Sequence, residues 1–186
     1  MNYTDNVYSL KSLKCYEIIH NCGGCNQIQN FVNTGCFRVN ANGNRLDAWL
    51  IYQCQKCKHT LNVPIFERID KNKIDSVLYQ KMIDNCKVLA NSYGADYGFL
   101  KSKGFEIDRS SAELVLFDAD DNIVELDIFS KEIITIKNIS GIKIKPEKLL
   151  SLVFNISRTR AKKLLNNTAI TITQIHNIFK IDLTNI

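Results

Sequence analysis

The 186-residue sequence predicts an α+β fold in three segments, and three observations carry that prediction. Two C-x2-C pairs, "CGGC" at Cys22–Cys25 and "CQKC" at Cys54–Cys57, bracket a strong hairpin turn signal. Apolar residues recur on one helical side in the middle of the chain. A short helix pair rich in Lys and Arg lies near the end. The segments are 1–69, a zinc ribbon with a long β-hairpin; 70–136, a mixed α/β scaffold; and 137–186, a basic, helix-turn-helix-like, RNA-binding-like segment.

The first segment is read from its cysteines. Zinc favours four thiolates in a tetrahedron, and each C-x2-C knuckle offers two sulfurs from one tight turn. Gly23 and Gly24 are expected to supply positive φ in the first knuckle. Between the knuckles, Asn42-Gly43 is a turn signal flanked by strand-like "CFRV" and "LDAWLIY". "TLNVPIFER" continues as a strand, with Pro64 placing it at an edge or bulge. A thioredoxin-like redox pair would need one C-x-x-C in a βαβ context, and here two sit among strand signals. Cys22, Cys25, Cys54 and Cys57 are therefore expected to hold structural Zn2+, with the shell filled and no catalytic position open. His20 and His59 are read as neighbours of the site, and Cys15, Cys36 and Cys86 as small buried apolar residues.

In the middle, Val77, Leu78, Met82, Cys86, Leu89 and Tyr93 fall at helical spacing. "ADYGFLKSKG" reads as a short helix closed by Gly104. "ELVLFDADDNIVELDIF" alternates on both sides of a polar turn and reads as a hairpin. Its "DADDN" resembles the start of a calcium loop, but Ile123 and Phe129 stand where Gly and Glu are needed, which excludes calcium. In the last segment Pro146 opens one helix and Ser157 caps a second, running to about Asn167. On that second helix Ala161, Leu164 and Leu165 share a face, and Arg158, Arg160, Lys162 and Lys163 spread over the other.

Charge adds a partner class. Residues 1–69 hold seven Lys/Arg against four Asp/Glu, 70–136 eight against thirteen, and 137–186 nine against two. A codon bias toward lysine does not produce an acidic middle beside a basic end. The basic end points to an anionic partner, nucleic acid first. The longest apolar runs, such as "AWLIY", are too short to span a bilayer. "MNYTDNVYSL" lacks the features of a secretory signal. With seven cysteines, an odd count, the expected setting is cytoplasmic and reducing, without membrane attachment.

Two resemblances follow from these residues. "FRVNANGNRLDAWLIYQCQKC", "TLNVPIFER" and "YGFLKSKGFEI" resemble the bacterial domain-of-unknown-function family 1062 over most of the chain, which implies an architecture and no activity. "LLSLVFNISRTRAKKLLNN" followed by "AITI" is similar to the small RNA-binding domain first seen in ribosomal small-subunit protein four. There, a helix–turn–helix pair leads into a short hairpin and a helix start of the form SR-S/T-x-A-x-x-L-I lines RNA. Ser157, Arg158, Thr159, Ala161, Leu164 and Leu165 match, whereas the usual "VNGK" turn is missing. Of the four cations only Arg158 falls on that motif; the basic face around the helix-start N–H groups is itself the reason Arg158, Arg160, Lys162 and Lys163 are expected to contact phosphates.

The expected function is that of an uncharacterised zinc-ribbon protein binding structured RNA without catalysis. A helix-turn-helix DNA regulator and a protein-interaction module are the alternatives. No P-loop, GxGxxG, G-x-S-x-G or His-x-Glu motif is present, so no catalytic residue is assigned.

Overall fold

A computed structural model of the chain describes residues 6–129 and 133–185. Strand outweighs helix, 41% against 26%, and the strands form two five-stranded sheets. This overturns the α+β expectation of a ribbon, a mixed scaffold and a helix-turn-helix-like end. The chain divides into two compact units, Lys14–Ala112 and a discontinuous one built from Met1–Leu13 and Glu113–Ile186. Their boundaries differ from the three charge-based segments. The reading of the N-terminus rests partly on residues 1–5, which lie outside the described residues.

The unit Lys14–Ala112 is a sheet of β2 (Glu17–Cys22), β3 (Gln27–Asn42), β4 (Arg45–Cys54), β5 (Thr60–Asp70) and β6 (Glu106–Asp108), in the order β5-β4-β3-β2-β6. Strand β4 alternates strictly, burying Leu46, Ala48, Leu50, Tyr52 and Cys54. This period-2 pattern selects one face of the sheet for the core. The long β3–β4 hairpin forms as expected, but Asn42 pairs with Arg45, so the loop is Gly43-Asn44, with Gly43 at φ +58°. Pro64 lies on edge strand β5 beside a register shift, as its missing N–H requires.

The expected middle helix splits into α1 (Ser76–Ile83) and α2 (Lys87–Ala95), followed by α3 (Tyr97–Ser102). Asn85, at φ +52°, makes the break, and its Oδ1 accepts from the Phe37 N–H at 2.6 Å. That bond to β3 stabilises a left-handed residue where helical periodicity alone favours continuation. Gly104 at φ +81° follows α3, as the sequence suggested.

The second unit is a sheet of β1 (Val7–Ser12), β7 (Leu114–Phe117), β8 (Ile133–Asn138), β9 (Thr171–Ile175) and β10 (Ile178–Asp182), in the order β7-β1-β8-β10-β9. Helices α4 (Pro146–Val153) and α5 (Arg158–Asn166) pack on it through Leu149, Leu150, Val153, Phe154 and Ala161. The sheet supplies Leu10, Leu116, Ile134, Ile136, Phe179 and Ile181 to that core. The helix pair is thus one layer on a sheet, and the residues after it are strands. The stretch expected as a hairpin at 113–129 contributes one strand, β7, whose ladder is with β1; beyond the turn only a Phe117–Ile123 bridge remains. Asp118 Oδ1 accepts from the Asp120 and Asn122 N–H groups at 2.9 Å each, so the "DADDN" run spends that carboxylate on its own backbone.

Candidate metal centre

Both knuckles are turns at one end of the same sheet. The β2–β3 turn runs from Cys22 to Gln27 and the β4–β5 turn from Cys54 to Thr60, and Cys54 lies in register with Phe31 of β3. The two turns repeat each other. Asn26 N–H donates to the Cys22 carbonyl at 2.7 Å, and Lys58 N–H donates to the Cys54 carbonyl at 3.0 Å. Asn26 and Lys58, each one residue past its second cysteine, take φ of +52° and +63°. Positive φ therefore falls outside the CGGC glycines, contrary to the sequence expectation. Gly24 serves another need: a Cβ there would stand 3.0 Å from Cys57 Sγ and 3.3 Å from His59 Cβ. Its missing side chain lets the knuckles close on one another.

The four sulfurs lie within 4.8 Å of one another, so Cys22, Cys25, Cys54 and Cys57 can hold a metal ion. Cys22 Sγ is 3.4 Å from Cys57 Sγ, and Cys25 Sγ is 3.8 Å from Cys54 Sγ. A tetrahedral metal–thiolate centre with bonds near 2.3 Å spaces its sulfurs about 3.8 Å apart. Both the spacing and the all-thiolate donor set fit a soft metal. Cys22 and Cys54 are buried, Cys25 is half-buried and Cys57 is exposed.

Thiol acidity is split across the cluster. The neighbouring Cys57 sulfur, with burial, pushes Cys25 up to about 12. Burial also raises Cys22. Burial would raise Cys54 too, but the Cys57 and Lys56 N–H groups outweigh it and hold that thiol down to about 6. Cys54 is therefore presented as a thiolate, the form that binds metal, more readily than Cys22 or Cys25.

Neither histidine joins the cluster. His20 makes edge contacts with Phe31 and Phe105, and His59 stands over the Gly23-Gly24 turn. Cys36 is exposed rather than buried, because it alternates along β3 with the buried Gly35 and Phe37 and so lies on the outer face; Cys15 and Cys86 are half-buried. Trp49 is half-exposed, in register with Arg38 on one side and Pro64 on the other.

The basic residues singled out by sequence lie in the other unit. Arg158, Arg160, Lys162 and Lys163 are all exposed on α5, and none has an ion-pair partner among the described residues. Ser157 caps the helix, its Oγ accepting from the Arg160 N–H at 3.2 Å, and Ala161 is buried. Sequence reasoning missed the left-handed residues Asn26 and Lys58. Their shared position four residues after the first cysteine of each pair was the available signal.

A family model described as "Protein of unknown function (DUF1062)" matches residues 39–175. The chain belongs to this family. The DUF1062 match contains the Cys54–Cys57 knuckle and helices α4 and α5, and begins after the Cys22–Cys25 knuckle. No curated protein and no solved structure matches the chain. No helix among the described residues is long and apolar enough to cross a membrane.

Proposed function

We propose that this protein is a non-catalytic binder of structured RNA, working in a reducing, cytoplasmic setting. Zinc at Cys22, Cys25, Cys54 and Cys57 folds one unit, and Arg158, Arg160, Lys162 and Lys163 contact RNA phosphates from the other. Zinc is preferred to other soft ions because it has no redox chemistry and accepts four thiolates in a closed tetrahedron.

The observation that carries the RNA reading is the exposed arc of α5. Four cations crowd a nine-residue helix and none is paired among the described residues. A helix needed only for packing gains nothing from mutually repelling cations. Arg158 and Arg160 also lie in the first turn, where the helix dipole disfavours them until an anion arrives. The helix pair leads into the β9–β10 hairpin, the order implied by the resemblance to the ribosomal RNA-binding domain. Packing of α5 against a sheet suits recognition of RNA shape and backbone better than insertion into a DNA major groove.

The test is binding of the zinc-loaded protein to structured RNA and to duplex DNA across a salt series, beside a variant with all four cations changed to Ala. RNA is expected to bind more tightly than DNA. The salt slope of the variant should be shallower by roughly 0.7–0.9 for each phosphate that the missing cations no longer neutralise. Equal binding by parent and variant at all salt concentrations would remove α5 from the interface. Metal analysis of the purified protein should find one zinc per chain.

A further inference from the structure

The edges of the two sheets differ in how they are guarded. An exposed edge strand offers unpaired N–H and C=O groups to any other strand, and proteins blunt it with proline, charge, bulges, shortness or a covering segment. Edge strand β5 carries Pro64, Glu67 and Arg68 beside two register shifts. At the other edge of that sheet β6 is three residues long. In the second sheet β7 is covered on its outer side: Ile123 bridges Phe117, and the Val124 N–H donates to the Leu116 carbonyl at 3.0 Å. Edge strand β9 has none of these devices and pairs only with β10 among the described residues. Its sequence, TITQI, holds no charge, proline or glycine, and all but Gln174 are β-branched residues that favour strands.

The ladder fixes which backbone groups that edge presents. The Asn138 N–H donates to the Asn177 carbonyl at 2.7 Å, and the β8–β10 and β10–β9 ladders run on from there without a register shift. Residues of an antiparallel strand alternate between those that exchange hydrogen bonds with one neighbour and those that do not. Asn177, Phe179 and Ile181 therefore turn their backbone groups to β8, and Ile178, Lys180 and Asp182 turn theirs to β9. Ile175, Thr173 and Thr171 answer them, so the N–H and C=O groups of Ile172 and Gln174 point away from the sheet. On the sheet face opposite α4 and α5, Ile175 is 69% exposed and Ile178 is 39% exposed. With Thr173 and Lys180 they border a shallow apolar groove.

We infer that β9 pairs antiparallel with β9 of a second copy of this chain, about a two-fold axis at Thr173, joining the five strands of each copy into one continuous sheet. In that register Ile172 faces Gln174 of the second copy, and Gln174 faces its Ile172. Each pair exchanges two hydrogen bonds, so every outward backbone group of Ile172 and Gln174 is satisfied. The two Thr173 residues meet on the axis as the closer, non-hydrogen-bonded pair, and Thr–Thr is a favourable cross-strand pair. Thr171 of the second copy stands opposite the exposed Ile175 and covers it in part. Charge favours this occupant. An edge without charge meets an identical edge with no like-charge penalty, and along its own length it offers a charged foreign strand no counter-ion. The contact is small beside the roughly 20–30 residues a side of a standard interface, so the dimer is weak and reversible. It is independent of the RNA reading.

The test is sedimentation equilibrium of the full metal-loaded chain over a concentration series reaching millimolar, in enough salt to screen the α5 cations. Self-association is expected with a dissociation constant of roughly 10–500 μM. Amide hydrogen exchange at Ile172 and Gln174 should slow as concentration rises, whereas exchange at Thr173, already bonded to β10, should not change. Thr173→Glu and Thr173→Lys each set two like charges face to face on the axis and should weaken the dimer at least about tenfold. An equimolar mixture of the two variants should restore association, a result that misfolding cannot produce. Gln174→Pro removes one outward N–H and no bond to β10, so it should weaken the dimer while the melting midpoint barely moves. A chain that stays monomeric throughout the series, association untouched by both Thr173 variants, or no rescue in the mixture would each overturn the pairing.

Discussion

Cys54 bears most on the metal centre. It is buried, it ends β4, and the Cys57 and Lys56 N–H groups hold its thiol below the ordinary range. Cys54→Ser should abolish stoichiometric zinc and unfold the knuckle end of the sheet, since structural zinc contributes on the order of 10 kcal/mol to small domains. Metal content and Trp49 fluorescence report it, Trp49 being the single tryptophan. An equally stable, zinc-free variant would refute the structural role. Two carboxylates act at the same scale. The Ser110 hydroxyl and N–H hold Asp108 below its ordinary value of 3.8, and the Thr184 hydroxyl and N–H do the same for Asp182. A carboxylate depressed in the folded state stabilises it fully above that ordinary value, and the contribution is lost as pH falls toward the folded value. Asp108→Asn should therefore flatten the loss of stability below pH 3.8, read from denaturant unfolding at stepped pH.

Among elements, the β9–β10 hairpin does two jobs. It donates Phe179 and Ile181 to the core under α4 and α5, and it presents the open edge of β9. Phe179→Ala should cost about 3–5 kcal/mol by leaving a cavity between sheet and helices. Denaturant melting would show this as a lower midpoint with an unchanged slope. Helix α5 divides its roles differently. Ala161 is buried and Leu164 and Leu165 pack against the core, which leaves the cations free of any structural duty. Changing those four to Ala should thus leave the melting midpoint within a degree or two while lowering RNA affinity, because exposed substitutions on good helix positions rarely matter for stability.

For the molecule as a whole, the notable fact is connectivity. The unit Lys14–Ala112 is inserted between β1 and β7, neighbours in the other sheet. Ser12 pairs with Leu114, and the Leu13 N–H donates to the Glu113 carbonyl at 2.7 Å. The ends of the insertion are therefore a hairpin's width apart, the geometry that tolerates domain insertion and removal. Replacing Lys14–Ala112 by Asn-Gly should leave a folded unit that retains the α4–α5 layer and needs no zinc. Well-dispersed amide resonances in the presence of chelator would verify this, and a collapsed spectrum would contradict it.

Local signals in the sequence were enough for the pairing of the cysteine knuckles, the β3–β4 hairpin, the Ser157 cap, the Pro146 start and the two faces of α5, though not for the left-handed residues Asn26 and Lys58 inside the knuckles. Each depends on turn chemistry, capping or side-chain period, which neighbouring residues settle among themselves. Tertiary structure alone decided which strands meet. The pairing of β1 with β7 and β8 spans more than a hundred residues, and β6 returns to β2 across three intervening helices. A period of two tells which face of a strand is buried and is silent about its neighbour. For the same reason "ELVLFDADDNIVELDIF" read as its own hairpin, although β7 pairs with a strand from the far end of the chain. Gly24 was likewise misread, because the atom that excludes a side chain there belongs to Cys57, brought close only when the sheet aligns both turns.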